Sequence, residues 1–338
     1  HLVKAIKDQA ERVLHFSNLY RIPGQERMAQ RLVEKTFSSS VFFCNSGAEA
    51  VECGLKVVRR YHHENGNSGR NRVITCTNSF HGRTLATISA SKQEKHMAGF
   101  SPMLGGFDQV AFGNLNEMRG MITDETAAIL VEPVQGEGGI NFADKAYFKT
   151  LRSLCNEKQI LLIFDEVQTG FGRTGPLFAY EKYGIKPDII TLAKALGGGM
   201  AIGAMGGTNR VMKSLVPGTH AATFGGNPLA CAASLASLKT ITKNGFLQKA
   251  SSTGDYFLEQ LHKLKKNFPI VRDARGAGLM LALELDRPGA EVVTKCMKEG
   301  FLINCIQPNT LRFLPPLIIT RKEIDLLIKT LSKILSKM

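Results

Sequence analysis

The sequence predicts an α/β protein in two parts: a large domain built on a mostly parallel sheet, and a smaller α+β domain at the C-terminal end. Two observations carry this. Residues 127–131, 161–164 and 189–192 are short apolar runs, with Thr191 their one polar residue, bounded by turn signals, which is how strands buried on both faces of a parallel sheet read. They alternate with stretches of helical periodicity as far as Lys243-Asn244-Gly245, beyond which helices and strands follow in α+β order. A length of 338 residues agrees with two unequal domains. A chain of this size buries about 75% of its unfolded surface, so it needs no disulfide framework. The expected division is N-terminal helices over 1–40, a large domain over 41–243 and a small domain over 244–338, with the N-terminal helices joining the small domain.

Taken in order, Leu2, Val3, Ile6, Ala10, Val13 and Leu14 recur at three- and four-residue spacing and predict an amphipathic helix over 2–14. Pro23-Gly24 breaks the chain, and Met28, Leu32 and Val33 lead a second helix. Residues 41–44 are expected as a buried strand, Asn45-Ser46-Gly47 as a tight turn and 48–61 as a helix. That order places N–H groups without intrahelical partners, at the positive end of a helix dipole, at the start of this helix. This suits an anion, although an ordinary N-cap at Ser46 explains the same string. A strand at 73–76 precedes Ser79-Phe80-His81-Gly82-Arg83-Thr84. Phe80 could stack on a flat ring or fill a core; Arg83 could grip a carboxylate with its planar fork or form a surface ion pair. His81 receives no catalytic assignment.

The strand at 127–131 runs into Glu132-Pro133-Val134-Gln135-Gly136-Glu137-Gly138-Gly139, a Gly-rich turn with two acids at the sheet rim, a pair that would also suit acid–base work. Helices are expected at 144–156 and 229–240, a strand with little room for side chains at 203–207, and a loop at a subunit contact in Phe171-Gly172-Arg173-Thr174-Gly175. In the second part, helices are expected at 246–264 and 290–299 and strands at 270–275, 279–284, 302–305 and 311–314. A last helix starts near Thr320, where Glu323 completes a capping box. Gly276-x-Gly278 is half of a dinucleotide fingerprint and lacks its third glycine. Arg312, inside the apolar LRFLPPL, is costly to bury without a carboxylate, from the protein or from a ligand.

The chain is organised around 161–199. Two of the apolar runs deliver a charged residue: 161–164 ends at Asp165, and 189–192 stops two residues before Lys194. Ligands of open α/β sheets bind at the carboxyl ends of the strands, so an acid and an amine are expected side by side at one rim. Asp-Glu after an apolar run also fits the metal-holding strand of a P-loop ATPase, but the G-x-x-x-x-G-K-[ST] loop that it requires is absent. An Asp that merely caps a strand and a Lys that merely opens a helix are the plain alternatives. An aldehyde cofactor is the third: pyridoxal 5'-phosphate (PLP) needs a lysine to bind its carbonyl carbon and an acid at its ring nitrogen, and Asp165, Gln168 and Lys194 supply the set.

Composition limits the other classes. The formal charge of +14 would permit nucleic-acid or membrane-surface contact, but no recognition motif accompanies it and the lysines are spread, so a solvated basic surface is expected. Seven cysteines without a C-x-x-C pair or a histidine at ligand spacing point to reduced thiols in a cytoplasmic protein and to no metal. No apolar run approaches the eighteen or so residues of a membrane span.

DEVQTG at 165–170, with the lysine of LAKALGGG 29 residues after its Asp, resembles the class III (ornithine/acetylornithine type) PLP-dependent aminotransferases. NSGAEA at 45–50, FHGRT at 80–84 and TFGGNP at 223–228 extend the resemblance over essentially the whole chain. It implies the fold-type I PLP-dependent transferase fold and a homodimer with shared active sites. Lys194 and Asp165 would be catalytic. Gly47, Ala48, Phe80, Asp165, Glu166, Val167, Gln168, Lys194 and Thr223 would bind the cofactor, Thr223 through the phosphate of the partner subunit. Arg83, Glu137, Ala222 and Arg312 would bind substrate, with Glu137 paired to Arg312. Ala222 departs from the serine common at its position and removes a hydrogen bond to substrate. Family members also carry several dozen residues ahead of the point matching His1, so the resemblance implies a segment preceding this sequence. The implied reaction moves the terminal amino group of N2-acetylornithine to 2-oxoglutarate. Ornithine, succinylornithine, succinyl-diaminopimelate and 4-aminobutyrate are alternative donors, and a basic binding protein of the same fold without catalysis is the alternative outside the class.

Overall fold

The computed structural model describes residues 1–338. Its strands are β1 (Ser40–Cys44), β2 (Arg72–Cys76), β3 (Phe107–Val110), β4 (Thr126–Val131), β5 (Val134–Gln135), β6 (Asn141–Phe142), β7 (Leu161–Asp165), β8 (Ile189–Leu192), β9 (Gly203–Gly207), β10 (Val271–Ala277), β11 (Met280–Leu285), β12 (Asn304–Ile306) and β13 (Thr310–Phe313). The chain forms two compact units. The first gathers His1–Pro133, Ala143–Gln168 and Tyr180–Thr240; the second gathers Val134–Phe142, Thr169–Ala179 and Ile241–Met338.

The first unit carries a seven-stranded sheet in the order β1-β9-β8-β7-β4-β2-β3. The strands from β3 to β8 run parallel, and β9 is antiparallel to both of its neighbours. Every residue of β4, β7 and β8 is buried, as runs without polar alternation require when both faces are covered. One cover is the helix Gly47–Glu64, which turns Val51, Leu55 and Val58 toward Leu130, Ile163 and Ile189 in a single apolar cluster. The N-terminal helices, expected with the small domain, belong to the first unit instead. The helix Pro23–Lys35 buries Met28 and Leu32, and polar contacts add to this: Asn18 Nδ2 donates to Ala222 O at 2.8 Å, and Gln25 Nε2 donates to the carbonyls of Gly225 and Gly226 at 3.2 Å. The first helix is Leu2–Ala10, shorter than its periodicity suggests, and buries none of its residues.

The second unit is built on a four-stranded antiparallel sheet, β10-β11-β13-β12. The helices Phe246–Asn267, Ala290–Lys298 and Arg321–Leu335 contribute Phe257, Leu261, Val292, Cys296, Ile324 and Leu331 to its apolar core, with Leu281, Leu283 and Leu311 from the strands. The capping box at Thr320 and Glu323 is formed. Two segments expected in the large domain group with this unit. Residues 134–142 form the short hairpin β5–β6. The segment Thr169–Ala179, which contains the loop 171–175 expected at a subunit contact, has Phe171 buried, and Arg173 Nη1 donates to Leu279 O at 2.9 Å and Pro315 O at 2.7 Å. Burial lowers the Arg173 guanidinium to about 10. All seven cysteines are free thiols. No helix is long and apolar enough to cross a membrane.

Candidate active site

In the first unit, β7 ends at Asp165 and β8 pairs beside it, with Thr191 opposite Asp165. The carboxylate is 4% exposed and draws three donors: Thr191 Oγ1 to Oδ1 at 3.1 Å, Val167 N to Oδ1 at 3.1 Å, and His81 Nδ1 to Oδ2 at 2.8 Å. A carboxylate can only accept, so the contact places the His81 proton on Nδ1. His81 is therefore part of the site, which the sequence did not disclose. Its pairing with Asp165 spans 84 positions, and a histidine within FHGRT carries no local signal of a partner.

Three residues past Thr191, Lys194 opens the short turn Lys194–Leu196 with φ +47°. A non-glycine residue there is strained by roughly 1–2 kcal/mol. The turn is held from below, where Ser237 Oγ donates to Ala195 O at 2.9 Å. The lysine side chain is exposed. The strand-end geometry thus sets a fixed carboxylate and an accessible amine on adjacent strands.

β1 runs into the helix Gly47–Glu64. Ser46 Oγ accepts from Glu49 N at 3.2 Å, while a Glu49 carboxylate oxygen accepts from Asn45 N. This reciprocal cap satisfies Asn45 and Glu49 and leaves the N–H groups of Gly47 and Ala48 without intrahelical acceptors. Position 47 is closely packed: an added Cβ would lie 2.7 Å from Val167 Cγ1, so one of the two would have to move. Val167, two residues past Asp165, therefore locks the helix start against the end of β7. Gln168 Oε1 is buried without a partner. Glu166 is fully buried and accepts from Tyr180 N at 2.8 Å, which fixes the turn after β7.

Phe80 is half-buried, and its N–H is held by Glu132 Oε2 at 3.0 Å. The Arg83 guanidinium lies 5.5 Å from the Phe80 ring centroid and 3.0 Å from His96 Nε2. Ala222 and Thr223 line an open groove of about 660 Å³ with His15, Asn18, Gln25 and His220. There, burial and the neighbouring Lys56, whose Nζ is 2.8 Å from His220 Nδ1, lower the His220 pKa. Thr223 is exposed and Phe224 is 55% exposed. In the second unit, Arg312 on β13 donates through Nη1 to Glu137 Oε1 at 2.6 Å and to Gly136 O at 2.9 Å. The carboxylate that a buried arginine demands is thus supplied by the chain, from the turn between β5 and β6.

The first-unit residues fit PLP by their own chemistry. Uncapped N–H groups at a helix start suit its phosphate, a buried carboxylate suits its ring nitrogen, the Gln168 amide, which donates through Nε2, suits a ring oxygen, and an accessible lysine suits its carbonyl carbon. This donor set on a mostly parallel sheet places the chain among the fold-type I PLP-dependent enzymes. Within that class it belongs to the class-III aminotransferases, whose family model, "Aminotransferase class-III", matches residues 1–335. It is 48% identical over 324 residues to an acetylornithine aminotransferase of Agrobacterium fabrum, covering 96% of this chain and 81% of that protein. It is 47% identical over 336 residues to one of Methanocaldococcus jannaschii, covering 99% and 84%. Among solved structures it is similar to the ornithine aminotransferase of Toxoplasma gondii, with a TM-score of 0.96 and 33% identity over 100% of this chain and 83% of the other. It is also similar to an amine transaminase from an uncultivated Pseudomonas species in its PLP-bound form, with a TM-score of 0.93 and 28% identity over 99% and 86%.

Proposed function

We propose that the chain is a PLP-dependent enzyme that transfers the terminal amino group of N2-acetylornithine to 2-oxoglutarate, yielding N-acetylglutamate 5-semialdehyde and glutamate, a step of arginine biosynthesis. The observation that carries this is the identity of 44–48% to relatives named acetylornithine aminotransferase, over 96–99% of the chain. The solved ornithine aminotransferases stand at 30–33%. The alternative of a basic binding protein without catalysis is not favoured by either comparison.

Bound PLP supplies an electron sink for the carbanion formed at the amino-bearing carbon. The chain supplies the rest. Asp165, fixed by Thr191, Val167 and His81, accepts the N–H of the protonated ring. Lys194 would hold the cofactor's carbonyl carbon at rest; once the donor's amine had displaced it, its freed Nζ would take the proton from the amino-bearing carbon of the donor and return it on the cofactor side. Gly47 and Ala48 hold the phosphate by their N–H groups, and Phe80 covers one ring face. Val167 packs at the helix start, and Gln168 meets the ring oxygen.

The two substrates differ in where charge must be met. With N2-acetylornithine, Arg83 binds the carboxylate and Glu137 neutralises Arg312. With 2-oxoglutarate, Glu137 leaves and Arg312 binds the α-carboxylate through its fork. Such an exchange keeps a buried guanidinium paired in both halves of the cycle, which its burial requires. Ala222 offers the substrate no hydroxyl. We also propose a cytoplasmic homodimer in which Thr223 reaches the phosphate in the partner; the exposure of Thr223 and Phe224 supports it.

The test is the visible spectrum of the protein with PLP. The band of lysine-linked cofactor is expected to vanish on adding N2-acetylornithine alone and to return with 2-oxoglutarate. A band that persists with N2-acetylornithine but vanishes with ornithine or 4-aminobutyrate reassigns the donor. No band at all, with Lys194→Ala indistinguishable from the parent, refutes the role of Lys194.

A further inference from the structure

Arg275 has no part in the reaction as described, yet it shares a row of the second-unit sheet with Arg312. Arg275 on β10 pairs with Ala282 on β11, and Ala282 pairs with Arg312 on β13. Residues directly opposite one another in an antiparallel sheet project from the same face. The two arginines therefore rise from one face, two strands and about 10 Å apart, with a small residue between them.

The β5–β6 hairpin lies on that face. Val134 and Ile140 pack on Met280, Ala282 and Ile306. Its strands pair only through Val134 with Phe142 and Gln135 with Asn141, so the turn 136–140 has little ladder of its own. The two arginines grip its two ends. Arg312 Nη1 holds Gly136 O at 2.9 Å; Arg275 holds Gly139 O through Nη2 at 2.7 Å and Nε at 3.1 Å, and Ile140 O through Nε at 3.3 Å. Glu137 sits between these grips. The far end of the turn is strained, since Ile140 has φ +57° and such a conformation persists only where its surroundings impose it.

The arginines differ in their acids. Arg275 Nη1 is matched by Glu284 at 2.7 Å and Asp273 at 3.0 Å, both on its own sheet. Arg312 has Glu137 alone, at 2.6 Å. Arg275 is thus neutralised without Glu137 and does not compete for it. A surface ion pair alone would account for the Nη1 contacts and would contribute little. It does not account for a fork turned onto two carbonyls of a neighbouring turn.

We propose that Arg275 is a positioning residue for donor selection: it fixes the turn 136–140 so that the Glu137 side chain can leave Arg312 and return while the backbone stays in place. This rests on the Glu137–Arg312 exchange proposed above. Loosening the turn lets Glu137 miss Arg312, and a misplacement of about 1 Å is enough to cost tenfold or more in such a site.

The experiment measures kcat/KM for a terminal-amine donor and for glutamate in the parent, Glu137→Gln, Arg275→Met, Arg275→Lys and the double variant Glu137→Gln/Arg275→Met. Hydrogen exchange of 136–142 is followed in each protein without cofactor. In Arg275→Met the ratio of the two kcat/KM values is expected to fall about tenfold toward glutamate, and the amides of 136–142 to exchange faster. Arg275→Lys, with one donor group in place of a fork, is expected to fall between. The double variant is expected to match Glu137→Gln, because Arg275 acts through Glu137. A changed ratio in Glu137→Gln with an unchanged ratio in Arg275→Met overturns the role of Arg275 alone, as does a double variant in which the two effects multiply. An unchanged ratio in Glu137→Gln refutes the exchange itself. If Arg275→Met does not fold, Arg275→Lys and the exchange rates of 136–142 decide.

Discussion

Replacing His81 by leucine tests how the carboxylate at the end of β7 is held. Oδ1 of Asp165 keeps Thr191 and Val167 after the change, whereas Oδ2 loses the one donor described for it, His81 Nδ1 at 2.8 Å. The other ring nitrogen, Nε2, is buried without a partner, so removing it costs no hydrogen bond. A hydrogen bond to a charged group contributes about 1.5–3 kcal/mol, and the abandoned oxygen stays buried. His81→Leu is therefore expected to destabilise the cofactor-free protein by about 2 kcal/mol, and to weaken PLP binding about tenfold by freeing the carboxylate to turn. Asparagine is the control, because its Nδ2 reaches nearly the place of histidine Nδ1. His81→Asn is expected to recover more than half of both losses. Urea unfolding of the first unit's signal and a PLP titration followed by absorbance measure the two quantities. A His81→Leu protein within about 0.5 kcal/mol of the parent would refute the bond's contribution. Equal losses in leucine and asparagine variants would show that ring shape, and not the donor, is what the site uses.

Three further outcomes follow from the same geometry. Gly47→Ala puts a Cβ 2.7 Å and 3.0 Å from the two Val167 methyls; the helix start or Val167 must shift, and PLP affinity is expected to fall at least tenfold in the same titration, with stability lowered by about 1–3 kcal/mol. Gly278→Ala adds a Cβ at φ +55° within 2.8 Å of backbone atoms of Arg173, Thr174 and Gly175; a loss of about 2–3 kcal/mol is expected on urea unfolding, and a neutral result would mean that the β10–β11 turn relaxes freely. At Asp273 burial pushes the carboxyl up, but hydrogen bonds from Lys265 and Arg275 outweigh it and the pKa is lowered. A depressed folded pKa stabilises the protein at pH above the unfolded value of about 3.9, and that contribution disappears as pH falls through the folded value. The stability gap between the parent and Asp273→Asn should be constant from about pH 5 to 8 and close below about pH 4.

How much of this was legible in the sequence depended on burial and on sequence separation. β4, β7 and β8 were readable because both faces are covered and the runs are almost wholly apolar. The edge strand β3, FDQV with two half-buried polar positions, gives no such run and was missed. So was the hairpin β5–β6, since two-residue strands have no period. The half fingerprint at Gly276 and Gly278 has a local explanation instead of a nucleotide: Leu279 N donates to Arg173 O at 2.9 Å, and no side chain fits at position 278 beside that contact. Asp165 and Lys194 declared themselves because strand ends in a parallel sheet are where ligands sit. His81 and Arg275 did not, because what makes each functional is a partner far off in the chain, at 84 and 136 positions. A strand over 270–275 was expected, but the row that Arg275 shares with Arg312 exists only once β10, β11 and β13 are in register.

Those registers show a common construction in the groups that the reaction needs. Asp165 has about four lone-pair sites and three donors, which fix its plane and leave room for one more partner. The helix start at Gly47 satisfies itself through Ser46 and Glu49 and leaves the next N–H groups to a ligand. Gln168 keeps a buried acceptor without a partner, and Arg312 keeps a buried Nε without one. Unpaired buried polar atoms cost about 1–3 kcal/mol each, and a site with several is poorer in stability than a fully satisfied core would be. A bound cofactor or substrate recovers that cost only if the polar atoms are already held in place. Full satisfaction would close the site, and looser attachment would let each group turn to a neighbour instead. Fixing each group on all sides but one is the condition under which binding, and not rearrangement, completes the set.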